Sequence, residues 1–262
     1  MPLTRFSPVS SQVTRGAQVW GSALLDLLYP PRCVVCHEWT SSDQCLCSGC
    51  LARVIAVPQP WCKYCGGPAL LNDEPCVHCS GGRYPAFVWS TAAGLYQDTL
   101  REAIHALKYQ RRTQIAKPLA NLMAEAIIKP GCRLIELNDC GETMQFDMIV
   151  PAPLHPSRQR YRGFNQAELL ARELGRILGV AVRTDVLRRV KATSTQTALN
   201  RSERAENVVG VFAASKPSLV EGQSILLVDD VLTTGATMRD ASRVLQNNGA
   251  RRVAVVVAAR AV

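Results

Sequence analysis

Apolar and polar positions change their rhythm near residue 84. Beyond it, apolar runs of strand length alternate with segments whose apolar residues recur every three or four positions. AFVWSTAAGLY (86–96) predicts a strand, and DTLREAIHALKY (98–109) a helix capped by Asp98, with Leu100, Ala103, Ile104 and Leu107 as its buried stripe. A second helix fits 113–128, where Pro118 is tolerated only near the first turn or at a kink. FDMIVPAPL (146–154) predicts a strand running into a proline-stiffened loop. NQAELLARELGRILG (165–179) predicts a helix with Asn165 as its cap and Gly179 as its stop. SILLVDD (224–230) reads as a buried strand, TGATMRDASRVLQNNG (234–249) as a helix starting near Gly235, and RRVAVVVAARAV (251–262) as another buried strand. Such alternation predicts parallel βαβ units with right-handed crossovers: an α/β fold with a twisted parallel sheet and flanking helices.

In such sheets ligands bind beyond the C-terminal strand ends. Two segments leave those ends with unusual chemistry, VPAPLHPSRQRYRGFNQ (150–166) and VDDVLTTGAT (228–237). In the second, the carboxylates Asp229 and Asp230 precede Thr233, Thr234, Gly235, Ala236 and Thr237. Hydroxyls and backbone N–H groups at a helix start form an anion pocket suited to a phosphate monoester. The carboxylates before it suit the hydroxyls of a sugar carrying that phosphate. Neither G-x-x-x-x-G-K-[ST] nor G-x-G-x-x-G occurs, so nucleoside triphosphate and dinucleotide binding lose support. Adjacent strand residues face opposite ways, so both acids can serve one ligand only if the chain leaves the sheet there. The polar stretch 191–207 is long for a connection and suggests a functional loop.

The first third of the chain carries different chemistry. Of 11 cysteines, nine lie before residue 80, mostly as CxxC pairs. Cys33, Cys36, Cys47 and Cys50 are followed, each 29 positions later, by Cys62, Cys65, Cys76 and Cys79. Two CxxC knuckles bring four thiolates around one tetrahedral Zn²⁺, so the repeat predicts two closed, structural zinc sites. His37 and His78 adjoin ligand positions, but the repeat favours all-cysteine sets. Cys45, Cys132 and Cys140 fall outside it and have no assigned role. The expected organisation is an N-terminal amphipathic segment (1–30), a double zinc ribbon (31–83) and an α/β domain (84–262).

No apolar run approaches the ~20 residues of a membrane span. The apolar stretch from Val19 to Leu28 is broken by Gly21, Ser22 and Asp26, which reads as an amphipathic helix rather than a signal peptide. A cytoplasmic protein is expected, in keeping with metal-type cysteine spacing. The formal net charge is +9. From Arg158 to Arg204 there are eleven Lys/Arg against four Asp/Glu, so a polyanion is expected to meet that segment.

ILLVDDVLTTGAT (225–237) resembles the phosphoribosyl-pyrophosphate (PRPP) motif of type I phosphoribosyltransferases. The chain from Cys33 onward resembles the ComF family of competence-associated proteins. The resemblance rests on the paired ribbons, HALKYQRR (105–112), VPAPLHPSRQRYRGFNQAELLA (150–171), QTALNRSERAENVVGVF (196–212) and the PRPP motif, in that order. It implies a type I phosphoribosyltransferase fold in which Asp229 and Asp230 hold ribose hydroxyls and Thr233 to Thr237 hold the 5-phosphate. The 151–166 loop would face pyrophosphate through Arg158, Arg162 and Arg160, His155 would stabilise that loop, and the 191–207 loop would close over the site. Mg²⁺ would accompany PRPP, and the reaction would displace pyrophosphate from C1. For Lys108, a cation offsetting the helix dipole and a phosphate ligand are both open readings.

The resemblance also implies a role in DNA uptake and natural transformation on the cytoplasmic side, with single-stranded DNA and the import and helicase machinery as partners. Any DNA affinity is expected on the 158–204 surface, at Arg188, Arg189 and Lys191. The alternative is an adaptor or nucleic-acid-binding protein built on an inactive transferase scaffold. The acceptor and the oligomeric state stay open.

Overall fold

The computed structural model describes residues 30–41, 44–62, 64–71, 74–77, 79–80, 86–128, 145–191 and 210–261. Contacts divide the chain into two compact units, Met1–Leu51 and Ala52–Val262. The first holds one four-cysteine set, a bridge between Arg32 and Trp39 and the start of the short helix α1 (Ser48–Ala52). The 29-residue repeat survives in the backbone of both units. Cys33 N–H donates to the Glu38 carbonyl as Cys62 does to Gly67, and His37 donates to Cys33 as Gly66 does to Cys62. His37 and Gly66 both have left-handed backbones, at φ 61° and 64°.

The second unit is the α/β body. Its elements are β1 (Ser90–Ala92), α2 (Asp98–Tyr109), a 3₁₀ turn (Thr113–Ile115), α3 (Ala116–Ile128), β2 (Met148–Pro151), α4 (Pro156–Arg162), α5 (Gln166–Leu178), β3 (Leu187–Arg189), β4 (Phe212–Ala214), β5 (Ser224–Leu232), α6 (Ala236–Asn247) and β6 (Arg252–Arg260). Among the described residues the main sheet has the order β1-β6-β5-β2, all parallel. β5 and β6 are central, and their apolar runs lack a polar face because both sides of the sheet are covered. Ile225, Leu227, Val253, Val255 and Val257 pack in one cluster with α6 and with Cys62, Cys65, Cys76 and Cys79. Fully burying such side chains contributes about 1.5–3 kcal/mol each. No described helix is long and apolar enough to cross a membrane.

Several expectations need correction. Asp98 is the first helical residue of α2, and Gln97 holds the cap position without a side-chain bond. The carboxylate of Asp98 therefore acts on the first turn through its charge. The regular part of the 86–96 segment is only Ser90–Ala92, although backbone bonds to β6 run from Val88 to Tyr96. The antiparallel ribbon β3–β4 was not expected: β3 lies in the stretch read only as basic, and β4 lies beyond the polar loop. The chain does not leave the sheet at the acids, because β5 continues through them to Leu232. Asn165 does cap α5 by accepting from the Ala167 N–H, and Gly179 ends that helix at φ 68°.

Candidate ligand site and metal sites

Pairing between β2 and β5 stops at Pro151 and Val228, while β5 stays paired with β6 as far as Leu232 and Arg260. Beyond Val228, one edge of β5 is therefore open where Asp229 and Asp230 lie. The β5–β6 register also skips Asp230, between Asp229–Val257 and Val231–Ala259, and both acids wall one space there. A cavity of about 260 Å³ occupies it, walled by both acids and by Lys108, Arg158, Arg162 and Arg189. Tyr109, Gln166, Thr237 and residues Ala152, Pro153 and Leu154 complete the wall. Four cations and two carboxylates suit a ligand that combines anionic groups with hydroxyls.

Lys108, at the end of α2, puts its ammonium 2.8 Å from Asp230 Oδ1. The pair is buried, with 17% and 6% of the two side chains exposed. Burial works against the Lys108 ammonium, but the charge and hydrogen bond of Asp230 outweigh it and raise its pKa. Asp229 is pushed up to about 7, first by burial and then by the charge of Asp230. Its Oδ1 accepts the Asp230 N–H at 2.8 Å. Asp230 Oδ2 is buried with no hydrogen-bond partner. Burial, then the charge of Arg158, depresses the pKa of Arg189. Arg162 donates to Gln166 Oε1 at 2.5 Å and lies over the Tyr109 ring at 5.4 Å.

α4 brings Arg158 and Arg162 to the site. His155 caps it, its Nδ1 accepting from the Ser157 N–H, Pro156 starts it, and Gly163 ends it at φ 85°. Thr233, Thr234 and Gly235 form the turn from β5 into α6, with Gly235 at φ 74° as the helix cap. Thr234 Oγ1 accepts from the Ala236 N–H at 3.5 Å, and Ala236 opens the helix. Of that motif, Thr237 with the two acids walls the cavity.

Sequence reasoning placed Arg189 on a DNA surface and missed it here. Alternation along β3 exposes Arg188 and turns Arg189 to the cavity. Gln166 was also missed. Lys108 joins the site through a contact 122 residues away in sequence. Residues 192–209, most of the proposed closing loop, lie outside the described residues, as do Cys132 and Cys140.

The cysteine sets converge as their spacing requires. Within each, Cys33/Cys36/Cys47/Cys50 and Cys62/Cys65/Cys76/Cys79, the sulfurs lie within 4.8 Å of one another. The Cys36–Cys47 and Cys65–Cys76 sulfurs are 3.6 Å apart. A tetrahedron with zinc–sulfur bonds of about 2.3 Å has sulfur separations near 3.8 Å, so both sets fit zinc. Backbone N–H groups of Cys47 and Cys76 point at the sulfurs of Cys33 and Cys62, as charged thiolates require. Both are four-thiolate zinc sites with no coordination position left for a substrate.

Residues 160–261 match the phosphoribosyl transferase domain, and residues 24–80 the double zinc ribbon domain. DNA utilization protein YhgH of Salmonella typhimurium is 34% identical over 230 residues, spanning 87% of this chain and 96% of that protein. Competence protein F of Haemophilus influenzae is 31% identical over 235 residues, spanning 88% and 97%. Competence protein ComFC of Streptococcus pneumoniae is 28% identical over 217 residues, spanning 81% and 86%. These relatives are matched along both the ribbons and the α/β body, and the chain belongs to the ComF family.

Proposed function

We propose that the cavity beside Asp229 and Asp230 binds PRPP, or a related phosphorylated ribose, together with Mg²⁺. The observation that carries this reading is the buried, unpartnered Oδ2 of Asp230, set at an open strand edge among four cations. A buried carboxylate oxygen without a partner costs free energy that a ribose hydroxyl would recover. Asp229 and Asp230 hold the ribose hydroxyls. Thr233, Thr234, Gly235, Ala236 and Thr237 surround the 5-phosphate at the start of α6. Arg158 and Arg162 face pyrophosphate, with Lys108 and Arg189 adding positive charge. Mg²⁺ bound with the ligand near Asp229 and Asp230 would supply positive charge to a leaving pyrophosphate. The reaction is transfer of the phosphoribosyl group to an acceptor not yet identified.

The names of the relatives, competence protein and DNA utilization protein, support a role in DNA uptake and natural transformation. We place that role on the cytoplasmic side, with single-stranded DNA and the import and helicase machinery as partners. A second reading, an inactive scaffold acting as an adaptor, draws on the Lys108–Asp230 pair, which satisfies one oxygen of the acid without any ligand.

Thermal unfolding of the parent and of Asp229→Asn/Asp230→Asn, each with and without PRPP and Mg²⁺, separates the two. At 100 times its dissociation constant the ligand stabilises the parent by about 2.7 kcal/mol and the double variant hardly at all. An equal shift in both proteins would overturn the assignment of the acids. No shift in the parent favours the scaffold.

A further inference from the structure

The last residue of β6, Arg260, is 5% exposed although it carries a permanent charge. Its Nη2 donates to the sulfur of Cys65 at 3.1 Å, and its Nη1 to the Cys65 carbonyl at 3.0 Å. Nη1 also lies 3.4 Å from the Ser90 hydroxyl, which itself donates to the same carbonyl. Among the described residues no carboxylate forms an ion pair with Arg260. A buried guanidinium without a counter-charge is strongly disfavoured. The counter-charge is the second cysteine set, because a four-thiolate zinc centre is formally −2 and that charge resides on its sulfurs.

The neighbouring glycines keep this contact open. A Cβ on Gly67 would run into the guanidinium, and one on Gly66 into the Ser90 carbonyl. The backbone of Arg260 is equally fixed: its N–H donates to Gly94, its carbonyl accepts from Tyr96, and it pairs with Leu232 of β5.

We propose that Arg260 is a positioning residue for the second zinc, donating to the Cys65 thiolate and so making that metal slow to leave. The zinc of the Cys33 set serves as an internal reference. There Cys36 and Cys47 are half-buried, whereas all four cysteines of the second set are buried. The guanidinium, fixed against both the sulfur and the carbonyl of Cys65, holds that ligand in place beside the metal position and shields it from an incoming chelator. Loss of such outer partners typically weakens metal binding about 10- to 100-fold. The proposal stands apart from the PRPP reading, since it concerns only the metal and its supporting charge.

The test is zinc release from the purified full-length protein under excess chelator, followed with a colorimetric zinc indicator. The parent releases its two zinc ions in two phases of equal size, and the phase missing from Cys36→Ser identifies the first site. Arg260→Met speeds the slow phase about 10- to 100-fold and leaves the fast one unchanged, while Arg260→Lys lies between. Should Arg260→Met not fold, Gly67→Ala provides the same test, because its methyl displaces the guanidinium while the charge stays in the chain. A single phase in the parent overturns the proposal. So does a slow phase unmoved by the folded variants, or both phases accelerating together.

Discussion

Replacing Lys108 with methionine removes the ammonium 2.8 Å from Asp230 Oδ1 while keeping much of the bulk of the stem. At an effective dielectric of 20, unit charges at that distance attract by about 6 kcal/mol. Part of this is cancelled by the desolvation of both groups, and removing one partner of a buried pair costs about 3–5 kcal/mol. A loss near 3 kcal/mol is expected at pH 8, because Asp230 is left charged, buried and with neither oxygen paired to a cation. Urea unfolding of the parent, Lys108→Met, Asp230→Asn and the double variant at pH 8 measures this. The double variant should recover about 2 kcal/mol of the summed single losses. Additivity within about 0.5 kcal/mol refutes the pairing as an energetic unit.

Three further outcomes follow from named contacts. Asp229 has a folded-state pKa raised to about 7, so its contribution to stability is fullest below its unfolded pKa and is lost as pH rises towards 7. Asp229→Asn should thus gain on the parent between pH 5 and pH 8 in urea unfolding, and a constant difference would contradict the buried-acid account. The buried carboxylate of Asp240 accepts the N–H groups of Gly210, Val211 and Phe212. Asp240→Ala should cost at least about 3 kcal/mol, and a urea midpoint close to that of the parent would refute it. Arg188→Glu/Lys191→Glu should reduce the salt slope of single-stranded DNA binding while leaving stabilisation by PRPP unchanged. If the slope holds, nucleic acid binds elsewhere on the chain.

What was legible in the sequence was local. Apolar periodicity located α5 with its Asn165 cap and Gly179 stop, and the 29-residue spacing revealed both cysteine sets, because each depends on residues near one another in the chain. The adjacent acids Asp229 and Asp230, which wall the cavity, stood out for the same reason. Lys108 was marked as a possible phosphate ligand, but its pairing with Asp230 acts across 122 residues, and the contact of Arg260 with Cys65 acts across 195, so neither partner could be read locally. Arg188 and Arg189 look alike in a basic run, and only strand alternation in β3 separates the exposed one from the cavity-facing one. The continuation of β5 past its acids was hidden because two adjacent carboxylates read as a strand end, whereas β6 goes on pairing beside them.

The contact between Gly66, Gly67, Ser90 and Arg260 bears on how this protein can be shortened. A cut at residue 84 looks natural, since it follows the last ligand cysteine. It would strip the thiolates from Arg260 and leave a bare cation inside the apolar cluster that β6 shares with Cys62, Cys65, Cys76 and Cys79. The cut that respects the packing falls between Leu51 and Ala52, between the two halves of the repeat. A fragment starting at Ala52 keeps one zinc and its whole sheet, and a fragment starting at residue 84 should be recovered mainly as aggregate. The two ribbons thus share a spacing without being interchangeable parts.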